Sequence, residues 1–290
     1  MLWFKKQPEQ PVRGGESELI IPVPLAVSLD VTQFQHKLSA LQSNIEDDGG
    51  IEVYLSALRA KQDLFVRALS KEKIDTLNQA DLEELLETVF SARRRVYSDL
   101  ITHGMEAVAL AMKELIYGSA PLEERMHAFS MLVSVDESAH REVRKQAEKT
   151  RRAALDFAAE LLHFNAPERY PLMCRWVWDQ NTVSGALREF IRGNDHMPDV
   201  KLGTSPGVYE GARVWMAEQV SAHGVYKDIH FWVDLVLAQA YTEYFRSLAE
   251  GMLGSDFGRG TNPSSHIRKF LGIDAPIKEG ISRIKRDAST

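Results

Sequence analysis

Along most of this chain apolar residues recur every three or four positions, the spacing of a buried helix face. Val31, Phe34, Leu38, Leu41 and Ile45 mark the first such face, with Asp30 placed to cap its start and DDGG at 47–50 to end it. A second helix is expected over Ile51 to Leu69. Leu82, Leu85, Leu86, Val89, Phe90, Val96 and Leu100 predict a long third one, opened by TLNQAD and closed at Gly104. Met105 to Tyr117 predicts a fourth. A fifth is expected to run to Val133, with Ser119 as N-cap and Pro121 in its first turn. Ser134 and Glu137 make an S-x-x-E capping box that predicts a sixth helix from there to Phe164.

NAPERYP at 165–171 interrupts the pattern. Pro171 is placed to begin a short helix through Trp178, DQN to break it, and Val183 to Arg192 to form another. Residues 193–207 read as a loop. Helices are then expected over Pro206 to Ala222, over Asp228 to Met252, and near 264–271 with Asn262 and Pro263 as cap and first residue. IHFWVDLVLAQAY at 229–241 is apolar all round, so its helix is expected at the centre of the fold. Prolines 22 and 24 confine residues 20–27 to an extended form.

These signals predict an all-α multi-helix bundle of nine or ten helices in two lobes. Residues 1–19 are expected to be a flexible tail, 20–164 an N-terminal bundle lobe, 165–275 a C-terminal lobe around the 228–252 helix, and 276–290 a basic tail. Both tails are expected to be disordered.

The chain has 290 residues, 44% of them hydrophobic and 26% charged, which suits a globular fold. A formal net charge of −6 argues against nucleic acid as the principal partner, because phosphate binding needs a basic face. One cysteine forms no internal disulfide, which fits a reducing compartment. MLWFKK sets a short apolar run before its lysines, the reverse of a secretory signal, and no stretch reaches the roughly 20 apolar residues of a membrane span. The expected location is the cytoplasm.

Glu-x-x-His occurs at Glu124 with His127 and at Glu137 with His140, the spacing that carries metal in some helix bundles. Helical geometry turns Glu124 and His127 roughly 200° and 140° from Leu122 on the core face; His140 and Glu137 lie about 60° and 120° from the face of Val143, Ala147, Ala154 and Leu161. No metal or other cofactor is expected; those residues are the alternative metal set. Cys174 has no identifiable activating neighbour and reads as a core thiol. GRGTNPSS at 258–265 lacks the pattern of a phosphate-binding loop and reads as a turn and an N-cap.

HREVRKQAEKTRR at 140–152 is strongly basic, and Arg144 and Lys145 in it are candidate partner contacts; the plainer reading is a solvated face balanced by the acidic DLEELLE at 81–87. Arg93, Arg94 and Arg95 carry the same two readings. Asp234, inside the most apolar helix, requires a buried partner, and Arg175 and His230 are the expected ones, forming a structural ion pair. Trp3 and Phe4 are candidate contacts on the tail, and residues 2–6 are also placed to touch a membrane surface weakly. In YPLMCRWVW, 170–178, Trp176 and Trp178 would lie about 200° apart on a helix. One is expected in the core and the other against the second lobe or a partner, with Arg175 reaching Asp234 or Asp179.

The function expected from these features is that of a non-catalytic cytoplasmic accessory or adaptor protein acting through protein contacts. Two alternatives stand beside it: a helical-bundle metalloenzyme with Glu, His and Asp ligands, and a nucleic-acid-associated protein using the 140–152 face.

Overall fold

The computed structural model describes residues 19–193, 200–253, 262–274 and 282–284. Within them lie ten α-helices: α1 Val31–Glu46, α2 Ile51–Ala68, α3 Gln79–Glu87, α4 Tyr97–His103, α5 Met105–Tyr117, α6 Leu122–Ser130, α7 Arg141–Asn165, α8 Pro206–Ala222, α9 Ile229–Leu253 and α10 Pro263–Phe270. Short 3₁₀ turns occupy Ile74–Thr76 and Ala186–Phe190. No strand forms among the described residues; Leu29 with Ile191 and Asp179 with Ser184 make isolated bridges. The protein is an all-α bundle.

Local chemistry sets most boundaries. Asp30 accepts from the backbone N–H of Thr32 and Gln33 to open α1, Asn78 and Asp81 close a reciprocal capping box on α3, and Asn262 caps α10. The C-terminal half of α7 and the first half of α9 form the centre. Residues 156–164 of α7 are buried without interruption, as are residues 231–240 of α9. The buried apolar side chains make one continuous cluster from Phe34 to Ile284, and α1 packs on α9 as well as on α2.

The long third helix expected over residues 82–100 is two helices. Thr88 breaks it: its hydroxyl donates to the Leu85 carbonyl at 2.7 Å, and its own carbonyl accepts from the Lys61 ammonium at 2.9 Å. Gly272 presses against the same carbonyl with φ +68°, and a Cβ there would sit 1.6 Å from the oxygen, so only glycine fits. The sixth helix starts at Arg141, because Asp136 accepts from the backbone and hydroxyl of Ser138 and holds the preceding residues in a turn. His140 caps it through Nδ1.

The segment expected as a helix over Pro171–Trp178 is irregular, with a single turn in which Val177 and Trp178 donate to the Cys174 carbonyl. Its polar backbone is taken by α7 instead. The Tyr170 carbonyl accepts from His163 Nδ1, and the Arg175 N–H donates to Asp156. Part of the expected C-terminal tail is also anchored: Ile284 is buried, and the Ser282 hydroxyl and Arg283 N–H both donate to Glu87.

Residues 19–29 form an extended strap over α8. Val23 N–H donates to the Gly207 carbonyl at 2.9 Å, and Gly207 and Gly211, one turn apart, let the strap lie on the helix backbone. A Cβ on Gly211 would stand 2.3 Å from the Val23 carbonyl.

Candidate functional site

The expected ion pair of Asp234 with Arg175 and His230 is replaced by two separate pairs, both anchored on α7. Asp234 Oδ2 lies 2.8 Å from Nε2 of His163, with both side chains almost completely buried. Arg175 instead grips Asp156: Nε and Nη2 donate to Oδ2 at 3.0 and 2.7 Å, and the backbone N–H donates to Oδ1. His230 is half-buried at the start of α9, and burial, opposed by Asp234, lowers its pKa. No acceptor among the described residues meets its Nε2. Burial alone would leave Asp156 protonated more readily, and its carboxyl is indeed raised; the Arg175 fork opposes that shift.

The Tyr170 carbonyl only accepts, so Nδ1 of His163 donates to it, and Nε2 is the nitrogen that meets the Asp234 carboxyl.

One turn from Asp156 on the same helix, Glu160 meets Lys61 of α2 at 2.7 Å. Lys61 also donates to the carbonyls of Thr88 and Leu271, so its three N–H groups bind α2 to α7, to the break after α3 and to the end of α10. Burial drives Lys61 down and Glu160 up, while each partner's charge works against that shift. Asp156, Glu160 and His163 therefore form one stripe of ionisable groups inside the molecule. Their setting in LDFAAELLHF, with apolar residues all round, is the sequence signal of their burial.

Both tryptophans of YPLMCRWVW are in the core, so neither ring is turned to a partner. Trp176 packs on Tyr241 and Phe270, and Trp178 is fully buried. Cys174 is buried beside them, and burial, followed by the Glu160 and Asp156 charges, raises its thiol well above its usual range. Trp3 and Phe4 lie outside the described residues. Glu124 and His127 are exposed on α6, Glu137 is exposed in a turn, and His140 is the cap of α7. No group of His, Cys, Asp and Glu among the described residues is placed to hold a metal ion.

The surface above Asp156 is a cleft of about 370 Å³ between α6, α7 and the start of α8. Met126, Leu155, Met173 and Tyr209 give it an apolar floor together with Trp178, whose buried Nε1 has no acceptor among the described residues. Arg152, Arg175 and His127 bring positive or protonatable groups to its walls; Glu123 and Asp179 face them.

Arg152 is also the last of a cationic row on α7. Arg141, Lys145, Lys149 and Arg152 are all exposed and fall within about 80° of arc over a rise of ~16 Å. The acidic helix expected to balance them does not: Asp81 pairs with Lys73 and Glu84 with Arg67. Arg144, beside the row, approaches Glu137 and Glu148 at 3.9 Å each, and Lys145 forms no ion pair among the described residues. Of the arginine triplet, Arg93 is buried against Asp274, while Arg94 and Arg95 are exposed on a separate cleft under the opposite side of α7.

No helix among the described residues is long and apolar enough to cross a membrane. The chain matches no family model, no curated protein and no solved structure.

Proposed function

We propose that the protein is a non-catalytic helical accessory or adaptor protein, and that the outer row of α7 is its contact face for an acidic segment of a partner protein. The observation that carries this reading is the row itself: Arg141, Lys145, Lys149 and Arg152 stand exposed with no carboxylate partner among the described residues. Cations not neutralised within their own fold keep their field for an incoming molecule. On a body of net charge −6, a local positive strip orients a complementary partner and speeds its arrival more than it adds affinity.

The test is capture of cross-linked partners in the native cell by the wild-type chain and by the charge-reversed Arg141→Glu/Lys145→Glu/Lys149→Glu form. A protein held by the wild type and released by reversal supports the reading. Equal retention by both forms overturns it. Retention that nuclease treatment abolishes would transfer the row to nucleic acid, whose binding would also fall steeply with salt.

A further inference from the structure

We infer that the cleft at the end of this row is an anchor site for one apolar side chain, aromatic or branched, set next to an acidic residue in the partner's segment. The inference rests on the adaptor reading and adds to it which residue of that segment carries the specificity.

The cleft differs chemically from the row. Along Arg141, Lys145 and Lys149 the surface offers charge and little else, but at Arg152 it drops onto Leu155, Met126 and Met173. Leu155 keeps 38% of its surface exposed although its neighbours Ala154 and Asp156 are buried. An apolar side chain open at the bottom of a charged-walled cleft is the arrangement in which a single inserted residue dominates binding, because water leaves both surfaces together. Methionine floors accept several shapes, so the site distinguishes apolar from polar occupants more than one apolar residue from another.

The cleft's charge also constrains the occupant. Arg175 spends two of its nitrogens on Asp156, and the side chains of Glu123 and Asp179 also line the cleft. A purely anionic occupant would meet those carboxylates, whereas an uncharged side chain with its acidic neighbour outside, on Arg152, meets none.

Short polyglutamate peptides, with and without a phenylalanine at either end, separate the two readings when titrated against the folded full-length protein. The expected result is that a phenylalanine-bearing peptide binds roughly tenfold tighter or more than the plain one, as burial of one aromatic side chain warrants. That advantage disappears in Leu155→Asp, while Lys145→Glu/Lys149→Glu weakens both peptides alike. Binding should also shift the tryptophan emission in the wild type. Equal binding of all peptides overturns the anchor and leaves the row standing. Failure of every peptide to bind overturns the adaptor reading itself. The wild-type comparison decides the matter even if Leu155→Asp does not fold.

Discussion

Lys61 and Glu160, 99 residues apart, meet at 2.7 Å with both side chains 2% exposed. Taking two charges out of water is costly, and only the added acceptors on Lys61 make the site tolerable. Removing one partner strands the other. Lys61→Met and Glu160→Leu should each destabilise the fold by about 3–5 kcal/mol, while the double replacement should lose less than the two singles added together, because no charge is stranded, yet stay below the wild type, because the Thr88 and Leu271 carbonyls lose their Lys61 donor. Urea unfolding of the singles and the double measures it. Losses that simply add would show that the two groups act independently.

The His163–Asp234 contact makes a sharper distinction between replacements. Asparagine at 234 can donate its amide N–H to Nε2 while His163 continues to donate from Nδ1 to Tyr170, so Asp234→Asn is expected to keep the fold within about 1.5 kcal/mol. His163→Phe leaves both the Asp234 carboxylate and the Tyr170 carbonyl without a donor in the core, and a loss of about 3 kcal/mol or more is expected. Equal losses from the two variants, read by chemical denaturation, would contradict this account.

How far the sequence reveals such features depends on the distance over which they are decided. Asn262 with Pro263, and Pro206 with the apolar residues after it, are local signals, and α10 and α8 begin where they place them. The burial of the 229–241 stretch was legible in the same way, from its lack of a polar face. The break at Thr88 was not, because its carbonyl is claimed by Lys61, and nothing near Thr88 in the chain shows that. The segment 170–178 reads as a helix by composition, yet its backbone polar groups go to Asp156 and His163, which no local rule anticipates. At the candidate site the basic run was legible, but not that its outer row has no acidic partner among the described residues. That absence follows from where α3 packs.

At low pH Asp228 should be among the groups that weaken the fold. The hydrogen bond from Arg59, outweighing burial, holds its carboxyl below the usual 3.8, so its folded pKa is depressed relative to the unfolded chain. Its stabilisation is therefore complete above that value and is lost as pH falls through the folded pKa. Asp228→Asn should lower stability at neutral pH and flatten the acid limb of the stability curve. Asparagine also accepts the left-handed φ of 53° at this position, so backbone strain does not confuse the result. Denaturant midpoints across the acid range give the two curves; parallel curves would remove Asp228 from the account.

Cys174 offers a probe of the same core without any substitution. Its side chain is fully buried, and burial together with Glu160 and Asp156 pushes the thiol up, so the nucleophilic thiolate is scarce as well as inaccessible. In the native protein it should resist a thiol reagent, and it should react at the full rate of an unstructured cysteine once the fold is opened by denaturant. Because Cys174 lies where α7's stripe of ionisable groups meets the 170–178 segment, labelling should require an opening that breaks the Asp156–Arg175 contact. Lys61→Met should therefore speed labelling in proportion to the stability it removes. Fast native-state labelling, or a rate that Lys61→Met leaves unchanged, would place Cys174 in a locally opening region and detach it from the core described above.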